Sequence, residues 1–191
     1  MKFVLENFRE NLNPQLQKLG TVFAATGLSA NFWTSIALVC AFISAIFYGL
    51  NFQYALVFGG ILLLISGFFD VVDGQVAKVT KKTNRGAFLD SVFDKIAEVA
   101  IFLGILIAGY SEGYLVLLAI TLSLLVSYTR ARAESLGVKL QGVGIGERAE
   151  RLLVIAIVGI AGFMDYAILI VIVIAAITLI QRIITVTQKM K

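Results

Sequence analysis

The chain has no histidine, one cysteine and one proline among its 191 residues. Without histidine, and with Cys40 alone in an apolar run, zinc and haem sites have no ligand set and no disulfide framework exists. Any metal must rest on oxygen ligands, which means a hard cation such as Mg²⁺, Mn²⁺ or Ca²⁺. Charge is scarce too: 15% of residues are charged and 59% are hydrophobic. No soluble domain of this size could hide that much apolar surface, so the composition is that of a membrane protein of one domain.

A helix needs about 20 apolar residues to cross a bilayer. Six segments qualify: Asn31 to Leu50, Tyr54 to Lys78, Gly86 to Tyr110, Gly113 to Leu136, Gly146 to Met164 and Asp165 to Thr187. The last two share one apolar tract, with Gly162 and Asp165 offering the turn. The expected fold is therefore all-α and integral to the membrane, with residues 31–191 forming six spans and residues 1–30 an amphipathic juxtamembrane segment. In that segment Leu5, Phe8, Leu12, Leu16 and Leu19 recur at helical spacing. Asn13-Pro14 reads as a cap and first turn, so two short helices are expected to meet there. They lie along the membrane surface or pack on the ends of the bundle. The N-terminal stretch lacks the continuous apolar core of a cleavable signal and reads as part of the mature protein.

Of the 16 Lys and Arg, all but Lys95 fall in or near the termini, the Lys78 to Arg85 loop or the Arg130 to Arg151 region. The connections around Asn51, Tyr110 to Gly113 and Met164 have none. This asymmetry puts both termini in the cytoplasm of a cell-membrane protein. The excess of positive charge then sits where anionic lipid heads or phosphates would meet it, and gives no ground for nucleic-acid binding.

Against this background, "FFDVVDGQVAK" (Phe68 to Lys78) places Asp70 and Asp73 where a span should be. "GAFLDSVFDK" (Gly86 to Lys95) adds Asp90 and Asp94 on the next helix. Asp70 and Asp73 share a helix face with Gly74 and Ala77, and Asp90 and Asp94 share theirs with Gly86. The short connection makes the two helices antiparallel neighbours, with both acidic pairs at similar depth near the cytoplasmic side. Four carboxylates at one level cannot all stay ionised uncompensated in low dielectric. One or two divalent cations would resolve this, and the small residues beside them leave room for a ligand to approach the backbone.

The stretch "DVVDGQVAK…GAFLDSVFD" resembles the CDP-alcohol phosphotransferase motif, D-x-x-D-G-x-x-A-R followed by G-x-x-x-D-x-x-x-D. Asp70, Asp73, Gly74, Ala77, Gly86, Asp90 and Asp94 match it, and Lys78 stands where the family usually has Arg. The resemblance implies that Asp70, Asp73, Asp90 and Asp94 hold two divalent metals, Mg²⁺ or Mn²⁺, which bind the diphosphate of a CDP-linked lipid. It makes Asp94 also the general base that takes the proton of an attacking alcohol. It puts Gly74, Ala77 and Gly86 at the nucleotide, with Asp73 and Lys78 on the diphosphate side. Many members begin their first span P-N-x-x-T near the cytidine; "SANFWT" keeps Asn31 and Thr34, with Ala30 in place of Pro. A homodimer is expected by the same resemblance.

A second region, "SYTRARAESLGVKLQGVGIGERAERLL", carries Arg130, Arg132, Arg148 and Arg151, with Arg182 on the last span. Arginine's planar fork matches phosphate, whereas positive-inside anchoring would account for the same residues without a site. Glu134, Glu147 and Glu150 are interleaved as if to hold the arginines in place. A basic cluster beside the metal site implies that the alcohol itself carries a phosphate. The pattern is similar to the branch of the family that uses myo-inositol 1-phosphate, the phosphatidylinositol-phosphate and archaetidylinositol-phosphate synthases. Glycerol 3-phosphate is the competing acceptor. From other classes, a divalent-cation transporter or an intramembrane prenyltransferase would also use intramembrane acids, but no inverted repeat pairs the halves and the D-x-x-D-G-x-x-A spacing is not that of a prenyltransferase.

Overall fold

The computed structural model describes residues 4–80, 83–140 and 142–190, with side chains from Pro14 onward. The described residues form seven helices and no strand: α1 (Val4–Ala24), α2 (Ala30–Gly49), α3 (Ala55–Thr80), α4 (Asn84–Ala108), α5 (Gly113–Ser135), α6 (Arg148–Ile160) and α7 (Met164–Lys189). Polar side chains set where several begin. Ser29 caps α2 by accepting from the Phe32 N–H, and Thr83 caps α4 by accepting from the Gly86 N–H at 3.0 Å. Gly109 ends α4 with φ 69°, a left-handed turn that glycine adopts without a Cβ penalty.

Four helices, α2, α3, α5 and α7, are long and apolar enough to cross a membrane. α4 has 25 residues, but Arg85, Asp90, Asp94, Lys95 and Glu98 crowd its first fifteen. α6 is only 13 residues, about 20 Å at 1.5 Å per residue, because the chain before it is spent on a linker and the chain after it turns at Gly162.

The helices α2, α3 and α4 pack as one group, α5 and α7 as another, and α6 lies between α3 and α7. Close backbone approach holds them. A Cβ on Gly104 of α4 would collide with the Ala45 carbonyl of α2, and one on Gly60 of α3 with Ile160 of α6. Buried hydroxyls add cross-helix bonds: Ser44 donates to the Gly59 carbonyl at 2.6 Å and Ser66 to the Ala37 carbonyl at 2.8 Å. The main core gathers Tyr48, Leu63, Phe102, Ile105, Ile155 and Ile168, among others.

The helix break expected at Asn13-Pro14 is absent: α1 runs through Pro14. An interior proline removes one backbone donor and costs about 3 kcal/mol. Packing of the following turns on α3 offsets it. Gly20 lies so close to Gln75 that an added Cβ would come within 2.9 Å of the Gln75 Cβ. Leu19 and Phe23 pack on a small core of Trp33, Val72 and Val76, and Trp33 stacks on Phe69 at 5.7 Å. This end of α1 therefore docks on the bundle. The side chains of Leu5, Phe8 and Leu12 lie outside the described residues.

Candidate active site

Contrary to the expectation of neighbouring helices, α3 and α4 pack on α2 and hardly on each other, yet their acids converge. One carboxylate oxygen from each of Asp70, Asp90 and Asp94 lies within 4.8 Å of the others. Asp73, one turn after Asp70, is nearly sealed at 4% exposure, and its Oδ2 is buried without a hydrogen-bond partner. Thr34, buried on α2, stands beside it. Asn31 reaches the start of α4, where a Cβ on Gly86 would meet its Oδ1 at 3.0 Å. Gly74 borders open space, with nothing within 4 Å of an added Cβ. Ala77 is half-buried beside it, whereas Lys78 is exposed and reaches Gln75 Oε1 at 3.5 Å. The residues assigned to the donor side thus sit around α2, α3 and α4.

The arginines approach from α5, α6 and α7. A cavity of about 1070 Å³ is lined by Asp70, Asp90 and Asp94 together with Arg130, Arg148, Arg151, Arg182 and Glu147. Phe42, Leu103 and Leu124 supply part of its apolar wall. Arg148, the first residue of α6, places its Nη1 3.0 Å from Asp70 Oδ1 and 2.7 Å from Asp94 Oδ1. Arg130 is held by Glu134 at 3.0 Å and lies 3.9 Å from Glu147.

The five arginines do not stand alike: Arg130, Arg148, Arg151 and Arg182 line this cavity. Arg132 is exposed and outside the cavity lining, because two residues beyond Arg130 is about 200° round a helix. Arg151 is fully buried and its fork is committed inside the protein. Its Nη2 donates to Glu98 Oε1 at 2.7 Å, its Nε to the same oxygen at 3.2 Å, and its Nη1 to the Gly146 carbonyl at 2.7 Å. Arg182, 2% exposed, donates to the Val143 carbonyl at 3.0 Å and the Val126 carbonyl at 2.6 Å, with Nη2 3.8 Å from Glu147. The interleaved glutamates act as expected at Glu134 and Glu147; Glu150 Oε2 is buried without a hydrogen-bond partner. The residue that sequence reasoning missed is Glu98. Its signal was available: Asp90, Asp94 and Glu98 recur every four residues, a single acidic stripe running into the apolar half of α4.

The model of the CDP-alcohol phosphatidyltransferase family matches residues 28–186. The chain belongs to this family. The match sets aside the transporter and prenyltransferase readings. The archaetidylinositol phosphate synthase of Methanothermobacter thermautotrophicus is 44% identical over 144 residues, 72% of this chain and 73% of that one. Its namesake in Pyrococcus horikoshii is 30% identical over 181 residues, 94% and 95% of the two chains. The phosphatidylinositol phosphate synthase of Streptomyces avermitilis is 38% identical over 151 residues, 69% of this chain and 62% of that one. Among solved structures, the Mycobacterium tuberculosis phosphatidylinositol phosphate synthase with CDP-DAG bound superposes with a TM-score of 0.75 at 24% identity, covering 90% of this chain and 92% of that one. The same enzyme in complex with manganese and citrate gives 0.76, covering 90% and 88%. These two likenesses concern the fold.

The acidic cluster fits the family's divalent ions. Its donors are all carboxylate oxygens, three are gathered within 4.8 Å, and a fourth carboxylate has an orphaned buried oxygen. A cation is already drawn to the spot, since the Arg148 guanidinium bridges two of the acids.

Proposed function

We propose that this CDP-alcohol phosphatidyltransferase makes a phosphoinositol lipid: it transfers the lipid phosphate of a CDP-linked diacylglycerol or archaeol to myo-inositol 1-phosphate and releases CMP. One observation carries the reading. A single cavity is lined by both the carboxylates and four arginines, as the meeting of two phosphorylated substrates would need. The names of the most similar relatives support the acceptor, and archaeal synthases stand among them. Glycerol 3-phosphate would present the same phosphate and is the second reading.

The roles follow from position. Asp70, Asp73, Asp90 and Asp94 hold the divalent ions. Such ions, when bound, neutralise the diphosphate and the departing CMP. Asn31, Thr34, Gly74, Ala77 and Gly86 frame the nucleotide, with Lys78 at the outer edge of that side. Asp94 faces the cavity and accepts the proton of the acceptor hydroxyl. That oxygen then forms the new O–P bond to the lipid phosphate, the bond from this phosphorus to the bridging diphosphate oxygen breaks, and CMP leaves with both electrons of it. Arg130 and Arg148 orient the acceptor's phosphate, and Arg182 lies behind them with part of its fork toward Glu147. Arg151 works from inside the wall.

In the membrane, α4 and α6 complete a six-helix domain over residues 31–191 with the four apolar helices, while residues 1–30 lie at its cytoplasmic edge. The acidic ends and the termini then face the cytoplasm, where soluble sugar phosphates are found, and lipid surrounds the apolar faces. The enzyme works as a homodimer of the cell membrane. The deciding experiment is a donor–acceptor screen for CMP release: CDP-archaeol and CDP-diacylglycerol against inositol 1-phosphate, glycerol 3-phosphate, inositol and serine. CMP release with inositol 1-phosphate alone is the expected result. Equal use of free inositol or serine would overturn it.

A further inference from the structure

Glu98 and Arg151 form an ion pair with both side chains fully buried, and nothing in the transfer chemistry calls for it. Both polar groups of Gly146, the residue before the α6 cap, are gripped. Its N–H donates to Thr178 Oγ1 at 2.9 Å, and its carbonyl accepts from Arg151 Nη1 at 2.7 Å. The Thr178 hydroxyl is itself oriented by donating to the Ile174 carbonyl at 2.7 Å. Upstream, Gly144 takes φ 115° where a Cβ would collide with Thr178, so the linker lies hard against α7 at this point. The N-terminus of α6, by contrast, has no side-chain cap: Glu147 stands at the cap position without a cap hydrogen bond. The direction in which α6 starts is therefore fixed from below, by Arg151 and Thr178. Two residues after Gly146, Arg148 reaches Asp70 and Asp94.

We propose that Glu98 is a positioning residue: by holding two nitrogens of the Arg151 fork it keeps the third on the Gly146 carbonyl, and so sets Glu147 and Arg148 at the mouth of the acceptor site. Glu98 lies one turn past Asp94 on α4, so one helix carries a ligand of the acidic cluster and the brace for the opposing arginine. The register between the acids and Arg148 is thereby written into a single rigid element. The planar guanidinium bonds Glu98 through two nitrogens and the carbonyl through the third, in a fixed fork that an ammonium lacks. The inference rests on the acceptor reading of the cavity.

The test separates positioning from mere stability. Replacing a buried ion pair by apolar residues of similar volume commonly leaves a fold intact, so the double variant Glu98→Leu with Arg151→Met is made. Its monodispersity and thermal midpoint in detergent are measured, and CMP release is followed with each substrate varied. The expected result is a folded enzyme whose KM for inositol 1-phosphate rises about tenfold or more, with the KM for the CDP-lipid little changed. A wild-type acceptor KM in the folded double variant overturns the proposal, as does an equal loss for both substrates. If the double variant does not fold, Thr178→Val decides: it frees the other side of Gly146 while keeping both charges, and the same acceptor-selective rise is expected. An unaltered acceptor KM there is the overturning result. If the wild-type protein releases no CMP from inositol phosphate, the functional reading has failed instead. Mn²⁺ titration by EPR then decides on the same variants, because a displaced Arg148 changes Mn²⁺ affinity and an undisplaced one leaves it at the wild-type value.

Discussion

Arg148 Nη1 bridges Asp70 and Asp94, 3.0 Å from one carboxylate and 2.7 Å from the other. The two acids come from different helices and the arginine from a third, so the contact ties α3, α4 and α6 at the point of chemistry. In metal-free protein the guanidinium supplies counter-charge that like acids in low dielectric require. Arg148→Gln is expected to lose about 1.5–3 kcal/mol of stability in EDTA, the range for a hydrogen bond to a charged group. Mn²⁺ should narrow the gap to wild type. Thermal unfolding with and without metal reads this, and equal midpoints in EDTA would refute it.

Asp70→Asn and Asp73→Asn should each abolish CMP release while the protein remains folded and membrane-inserted. Buried acids cost folding free energy rather than supply it, so their amides are tolerated by the bundle. Chelator should silence the wild-type enzyme, and Mg²⁺ or Mn²⁺ should restore it. Full turnover in excess EDTA would remove the metal-dependent reading.

Asp94→Asn should lower kcat by about 10²–10⁴, the usual contribution of a positioned base. Affinity for the CDP-lipid should persist, since three carboxylates still hold metal. A parallel collapse of donor binding, measured by titration of the inactive variant, would make Asp94 chiefly a ligand.

Arg130 and Arg132 differ by two residues but face different surroundings, so they form an internal control. Arg130 lines the cavity and Arg132 does not. Arg130→Ala should raise the acceptor KM by about one to two powers of ten, matching the loss of a charge-assisted bond. Arg132→Ala should leave it alone. If neither changes acceptor kinetics, the arginines serve only to anchor the helices at the membrane surface.

Packing gives a prediction independent of function. Gly104→Ala would drive a methyl into the Ala45 carbonyl, against backbone that cannot yield, and should cost about 1–3 kcal/mol. Gly67→Ala on α3 meets nothing within 4 Å and should be neutral or stabilising by about 0.5–1 kcal/mol. Thermal midpoints of the two variants test the difference.

The sequence by itself determined the helical membrane fold and the acidic cluster. These are readings of local spacing: a run of about 20 apolar residues is a span, and acids three or four apart share a helix face. One short connection then brings two such faces together, so Asp70, Asp90 and Asp94 converge as expected. Tertiary structure decided the arginines, because they come from three helices far apart in the chain and spacing cannot rank them. Only packing shows that Arg148 meets the carboxylates, that Arg151 is spent on Glu98 and Gly146, and that Arg132 faces away. Pro14 teaches the same lesson in the backbone. A local rule ends the helix there, but contacts with α3 later in the same helix keep it continuous. Local rules fail where groups distant in sequence supply the counter-charge or the packing, since a buried ion is tolerated only beside a partner that the neighbouring residues do not provide.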